Sequence, residues 1–328
     1  MGRAAHSEPV ELTLERHRTE LTGYCYRMLG SAFDAEDAVQ ETFLRAWRGY
    51  DRFEGRAAVR SWLYRIASNV CFDALSAGTR RARPMDLTAP GTADADLRPP
   101  LPESAWILPV PDGRVLAAGG DPAEMAEARE SIRLAFVAAL QHLPPRQRAV
   151  LILREVLRWE ASEVAELLET TVASVNSALQ RARATLGAIR LTEGDAPKPL
   201  EEDDRELLER YVDAFERYDI ESLTTLLHED ATQSMPPYDL WFRGRDEIFR
   251  WWLGPGAGCR GSRLVATEAN GSPAFGQYRP GGPDGRHEPW ALMVVEASGG
   301  RIVELTFFLD TAALFPLFGL PQELEPPS

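Results

Sequence analysis

Apolar positions recur with helical spacing along the first part of the chain. Leu12, Leu21, Tyr24, Met28 and Leu29 keep that spacing until Gly30. Asp34 then predicts a second helix by capping its free amides, with Asp37 three residues on as an acidic counterpart. Ala38, Val39, Phe43, Leu44 and Trp47 would form the apolar face of that helix. A third helix is expected over about Val59–Ala77, with Trp62, Leu63, Ile66, Val70 and Leu75 inward and an end near Gly78. From Pro84 to Pro122 the pattern lapses: eight prolines and five Asp predict a linker rather than a packed domain. Within it, the island Trp106-Ile107-Leu108-Pro109-Val110-Pro111 is apolar enough to dock. Helical periodicity resumes at Glu124 and lasts to about Ile189, interrupted at Leu143-Pro144-Pro145 and around Glu169-Thr170-Thr171.

After a second acidic linker over Thr192–Glu202, the period changes. Helices are expected at about Arg205–Tyr218, Ile220–Leu227 and Arg245–Leu253, with a short strand through Ala231–Met235. Strand-like runs follow at Ser262–Thr267, Ala274–Tyr278, Glu288–Glu296 and Arg301–Asp310. They are parted by the turn signals Asn270-Gly271, Gly281-Gly282 and Gly299-Gly300. Helices followed by a meander predict an α+β domain behind two all-α ones. The expected division is 1–83, a linker 84–121, 122–191, a linker 192–202, 203–321 and a tail 322–328.

The chain of 328 residues has room for several domains. It shows no secretory pattern and no apolar run near the roughly 20 residues that span a bilayer, so a cytoplasmic protein without membrane contact is expected. Cys25, Cys71 and Cys259 give neither metal spacing nor a disulfide framework, and no cofactor or metal is expected. The net charge of −14 argues against nucleic-acid binding until it is divided. Residues 1–83 carry +2, 84–121 carry −4, 122–190 carry +1 and 191–328 carry −13. The helical parts are near neutral and can meet DNA through local basic clusters.

The sharpest local motif is a helix-turn-helix. Ser162–Leu168 makes a first helix with Val164, Ala165, Leu167 and Leu168 packed, Glu169-Thr170-Thr171 the turn, and Val172–Leu186 the second helix. Val175, Leu179, Ala182 and Leu186 form its buried stripe. Asn176, Ser177, Gln180, Arg181 and Arg183 stay outside, all side chains that bond base edges or phosphates. A plain helical hairpin with a polar face has the same spacing, and Glu169 sits where such turns often place Gly. Arg80, Arg81 and Arg83 make a basic knot at the end of the third helix, suited to phosphates. Phe53, Trp62, Tyr64 and Phe72 nearby could stack on unpaired bases or simply fill a core.

Taken together, three stretches resemble a bacterial sigma factor of the sigma-70 family, of the small extracytoplasmic-function (ECF) type. "DAEDAVQETFLRAWRGYDRF" (34–53) resembles the helix that docks on the polymerase clamp. "EGRAAVRSWLYRIASNVCFDAL" (54–75) is similar to the loop and helix that read and open the −10 element. "LPPRQRAVLILREVLRWEASEVAELLETTVASVNSALQRARATL" (143–186) resembles the domain that reads the −35 element. The resemblance implies sigma region 2 at the front and region 4 behind the linker. The implied partners are promoter DNA and core RNA polymerase, held at its beta-prime clamp helices and beta flap. It places Asp37, Gln40, Glu41, Phe43 and Trp47 at the clamp. It assigns Phe53, Arg56, Arg60, Trp62, Asn69, Arg80 and Arg81 to the −10 element, and Thr171, Ser174, Asn176, Ser177, Gln180, Arg181 and Arg183 to the −35 element. A −10 base can be read only once unstacked, so opening and recognition share one helix.

Residues 203–321 resemble a SnoaL-like cone domain through "ERYVDAFERYDIESLTTLLHEDATQSMPP", "FRGRDEIFRWW" and "EPWALMVVEASGGRIVELTFFLD". The resemblance implies a curved sheet closed by helices around a pocket. Two roles stay open. A regulatory module would use Tyr238, Trp241, Trp252, Trp290, Phe308 and Asp310 as a small-molecule pocket or docking face. A cyclase- or isomerase-type enzyme would need a general base, for which Asp239, His228, His287 and Asp310 are the candidates by type. No catalytic residue is assigned, and regulation by this domain is expected.

Overall fold

A computed structural model describes residues 10–50, 53, 58–78, 80–117, 119, 121–193, 202–281 and 285–326. It separates into two compact units. One holds residues 1–81 and 107–194, the other residues 82–106 and 195–328. Neither is continuous in sequence.

The helical unit opens with α1 (Val10–Glu15), α2 (Arg18–Leu29), α3 (Ala32–Gly49) and α4 (Val59–Ala77). The spacing read as continuous from Leu12 to Gly30 is split between α1 and α2, and Leu12 is exposed. Gly30 closes α2 at φ 73°, a left-handed residue that glycine takes without a Cβ clash. Helix α3 is capped by Ser31, whose Oγ accepts from Asp34 N, so the cap lies three residues before the expected Asp34. Its buried face is Ala35, Ala38, Val39, Thr42 and Ala46. Leu44 and Trp47, expected on that face, are 49% and 60% exposed. Small residues let α3 lie close to its neighbours and turn the large ones outward.

After the island at 107–110 come α6 (Asp112–Val115), α7 (Pro122–Glu130), α8 (Leu134–Gln141) and α9 (Pro145–Leu151), the last running into a π turn at Ile152–Val156. Then follow α10 (Ala161–Leu167) and α11 (Val172–Glu193). Ile107, Leu108 and Val110 are buried. Tyr26 donates to Leu108 O at 2.9 Å, and Leu108 N to Gly30 O at 2.9 Å, which ties the island to the end of α2. Helices α8 and α9 pack on α2 and α4 through a buried polar seam. Arg148 donates to Gln141 Oε1 at 2.6 Å, to Leu143 O at 3.1 Å and to Met28 O. Arg27 donates to Ser131 Oγ at 2.6 Å. Burial pulls both guanidiniums down to about 10.

In the second unit α12 (Glu202–Glu216) and α13 (Ile220–Leu226) lead into a six-stranded sheet. Its strands are β1 (Leu227–Ser234), β2 (Trp241–Arg243), β3 (Arg263–Ala269), β4 (Ser272–Pro280), β5 (His287–Ser298) and β6 (Arg301–Phe308), in spatial order β2-β1-β6-β5-β4-β3. Helix α14 (Arg245–Leu253) joins β2 to β3, and α15 (Thr311–Leu317) follows the sheet. The β3–β6 meander is antiparallel throughout, while β1 pairs β6 in parallel. Asn270-Gly271 and Gly299-Gly300 take φ of 58°, 73°, 59° and 69°, as two-residue hairpin turns need. The unit's core joins Tyr211, Leu223, Phe242, Ile248, Met293 and Leu305 from helices and sheet.

The proline-rich stretch expected as a linker is divided between the units, and its first part is folded. Residues 82–106 carry α5 (Pro84–Leu87) and a 3-10 turn at Glu103–Ala105. Thr88 Oγ1 donates to Asp239 O at 2.8 Å, Trp241 Nε1 to Thr88 O at 2.9 Å and Leu101 N to Pro237 O at 2.9 Å. Arg98 pairs with Asp239 at 2.9 Å. Prolines forbid a regular domain here but not an extended strap fastened by hydrogen bonds from a neighbour. Its two ends meet: Ala82 N donates to Ala105 O at 2.8 Å, and Ala82 bridges Trp106.

Candidate promoter-reading surface and C-terminal cavity

The helix-turn-helix forms with α10 and α11. Val164, Ala165, Leu167 and Leu168 are buried on one side, Val175, Leu179 and Ala182 on the other. Glu169 takes the left-handed turn position at φ 51° although it is not glycine. Thr171 caps α11 by accepting from Ser174 N at 3.1 Å. Beyond the cap, Asn176, Ser177, Gln180, Arg181 and Arg183 are all exposed. Arg183 pairs with Glu155 at 2.6 Å. The result is a row of amide, hydroxyl and guanidinium groups turned to solvent.

On α3, Asp37, Gln40 and Trp47 are exposed, and Glu41 and Phe43 are half-buried. Glu41 pairs with Arg45 at 2.6 Å, and the Arg18 guanidinium lies 4.9 Å from the Phe43 ring centroid. The −10 candidates are scattered more widely. Phe53 and Trp62 pack at a tilt with ring centroids 4.9 Å apart, Tyr50 beside them, and Asn69 is exposed on α4. Arg56 lies outside the described residues. Arg60 donates to Glu20 at 2.8 Å and lies 5.0 Å from the Trp159 ring. Tyr64, a stacking candidate, is core: it packs on Trp159 at 5.0 Å.

The basic knot expected at the end of α4 is largely used up inside the protein. Arg81 is buried and pairs with Asp34 at 2.7 Å, and Arg83 pairs with Asp86 at 3.3 Å. Arg80 remains exposed and donates to His142 Nδ1 at 3.0 Å. The aspartates that the sequence suggested as a cap and as linker acidity draw these guanidiniums inward.

The C-terminal unit holds a partly open cavity of about 250 Å³. Tyr238, Trp252 and Trp290 line it, as do Trp251, Phe307 and Leu97 of the strap. Trp241, Phe308 and Asp310, expected there, do not. Trp241 is held by Thr88, Phe308 is buried at the end of β6, and Asp310 caps α15 by accepting from Ala313 N at 3.3 Å. Among the described residues no carboxylate or imidazole lines the cavity. Asp239 is engaged by Arg98, His228 accepts from Asp230 N, and His287 Nε2 meets Gly261 O. The polar lining residues that sequence reasoning passed over are Gln233, Gln277, Arg279 and Cys259. Gln277 shares a strand face with Phe275, so an amide at an inward register was the available signal.

Family models match in the same order as these parts: Sigma-70 region 2 over residues 13–81, Sigma-70 region 4 over 133–186 and a SnoaL-like domain over 208–305. Two sigma regions joined to a SnoaL-like domain define a multidomain transcription factor of the sigma-70 class. Over 326 residues the chain is 44% identical to the ECF RNA polymerase sigma factor SigG of Mycobacterium tuberculosis, covering 98% of this chain and 84% of that one. SigJ of the same organism is 31% identical over 280 residues, 82% of this chain and 80% of the relative. The crystal structure of SigJ matches with a TM-score of 0.59 and 25% identity, over 96% of this chain and 100% of that chain. The chain belongs to the ECF sigma factors. It binds RNA polymerase and promoter DNA and directs transcription initiation; it is an initiation subunit rather than a free-standing enzyme. Among the described residues no helix is long and apolar enough to cross a membrane, and no cluster of His, Cys, Asp and Glu could hold a metal ion.

Proposed function

We propose that this sigma factor is restrained by its own C-terminal unit, which holds the strap 82–106 closed, and that a small molecule in the cavity tunes that hold. The carrying observation is the Ala82–Trp106 bridge. The chain leaves the helical unit after Arg81 and re-enters it at Ile107, yet these two crossing points are adjacent while the strap lies on the C-terminal unit. Released and extended, the same residues would span roughly 80 Å. Closing the strap therefore shortens the tether between the parts that read the −10 and −35 elements. Leu97 gives the strap one side chain at the cavity, so an occupant can favour one strap position over the other.

In this reading Asp37, Gln40, Glu41, Phe43 and Trp47 dock on the beta-prime clamp helices, and the region 4 side meets the beta flap. Thr171, Ser174, Asn176, Ser177, Gln180, Arg181 and Arg183 read the −35 element. Phe53, Trp62 and Asn69 hold unstacked −10 bases, with Arg56, Arg60 and Arg80 along the backbone. Arg81 joins them only if its pair with Asp34 opens. The carboxylate and imidazole candidates for an acid–base enzyme, Asp239, His228, His287 and Asp310, do not line the cavity.

The test is run-off transcription with core polymerase, comparing the full chain with the double variant Thr88→Val, Asp239→Ala. Loss of the Thr88 and Arg98 anchors is expected to raise promoter-specific transcript several-fold. An unchanged or lower yield contradicts the restraint.

A further inference from the structure

Most of the cavity wall is apolar, but β4 and the 3-10 turn Pro255–Cys259 break it with polar groups. Gln277 and Arg279 stand two residues apart on β4, so they share a face and lie roughly 7 Å apart along the strand. Gln277 is 0% exposed. Its Nε2 donates to Ser262 Oγ at 3.1 Å. The same amide side chain meets the Cys259 thiol, which burial otherwise pushes up. Its Oε1 has no hydrogen-bond partner. A buried carbonyl oxygen without a donor is destabilising, and folds keep one chiefly where water or a ligand completes it.

Arg279 supplies the second element. Its guanidinium lies 4.0 Å from the Trp290 ring centroid. Among the described residues no carboxylate pairs with it. Stacking on Trp290 fixes the plane of the fork without neutralising it, which leaves its donors for a planar anion. The volume of about 250 Å³ sits between the roughly 150 Å³ that admits benzene and the roughly 300–1,000 Å³ of drug-sized sites. Two fused rings suit it.

We infer that the cavity binds a flat, apolar carboxylic acid of about two-ring size that carries one hydrogen-bond donor, its carboxylate on Arg279 and its donor on Gln277 Oε1. Trp251 and Trp252 flank the rings. This rests on the reading of the cavity as a ligand site given above.

Isothermal titration of the full chain with three probes tests it: 6-hydroxy-2-naphthoate, 2-naphthoate and 2-naphthamide. The hydroxy acid is expected to bind at least tenfold more tightly than the amide, with the plain acid between them. Arg279→Gln should abolish the preference for acid over amide. Gln277→Leu should abolish the gain from the hydroxyl and leave the acid preference. Gly258→Ala provides a variant that keeps the charge: a Cβ there would stand 2.5 Å from Arg279 Nη2 and displace the guanidinium, so the acid preference should shrink. Equal binding of acid and amide, or an acid preference that survives Arg279→Gln, overturns the ligand class while leaving the cavity a binding site. No binding of any probe overturns both.

Discussion

Helices α4 and α11 belong to one compact unit, and both carry side chains suited to DNA, yet they present them differently. On α11, Asn176, Ser177, Gln180 and Arg181 are exposed and make no side-chain hydrogen bond or ion pair among the described residues. On α4 the basic side chains are engaged. Arg60 lies between Glu20 and Trp159, and Arg65 donates to Glu166 O at 3.3 Å. The −35 candidate side chains are open to solvent as they stand. The −10 candidate is partly covered by the residues just before and within α10. In the proposed reading, α11 meets duplex DNA, whereas unstacked −10 bases need the part of α4 that Trp159 and Glu166 touch.

The largest expected effect comes from the seam that holds the two regions together. Arg148→Met removes a guanidinium that serves Met28 O, Leu143 O and Gln141. It should destabilise the helical unit by about 3 kcal/mol, read by denaturant unfolding. A loss below about 1 kcal/mol would mean the seam is weak and the cover over α4 is set elsewhere. Next, Gln180→Ala should weaken −35 binding by about 1–3 kcal/mol and relax sequence preference at one position, read by binding to a −35 duplex library. A uniform loss across sequences would make Gln180 a phosphate contact instead. Trp159→Ala uncovers Arg60 and should strengthen binding of a single-stranded −10 oligonucleotide by about 1 kcal/mol. Weaker binding would show that Trp159 supports α4 rather than masking it. Smallest is Glu169→Gly, which relieves a left-handed backbone position at some cost in glycine entropy and should stabilise the turn by about 0.5 kcal/mol, read as a higher Tm.

Local patterns were legible where one face is apolar and the ends are marked. The third helix, Val59–Ala77, and α14, Arg245–Leu253, have the expected bounds. The helix-turn-helix is present too, with its first helix shifted by one residue to Ala161–Leu167 and α11 running on past Leu186 to Glu193. The cap of α3 was misplaced because Asp34 and Ser31 are both good caps, and only backbone geometry separates them. Strand β2 is three residues long, too short to show a period, and α15 carries an internal Pro316 that argues against a helix. The parallel β1–β6 pairing joins distant segments that no local rule links. The strap was hidden for a related reason. Its prolines mark an extended chain, but its anchors at Pro237, Asp239 and Trp241 lie far along the sequence. At the cavity, aromatic content pointed to Tyr238, Trp252 and Trp290 but equally to Trp241 and Phe308, which serve packing.

The central claim is that the C-terminal unit restrains promoter use by keeping the strap closed. Run-off transcription with core polymerase on one ECF-type promoter tests it most directly, with the full chain beside its Thr88→Val, Asp239→Ala variant at equal core occupancy. The account predicts several-fold more specific transcript from the variant. Equal or lower yield from the variant would contradict it.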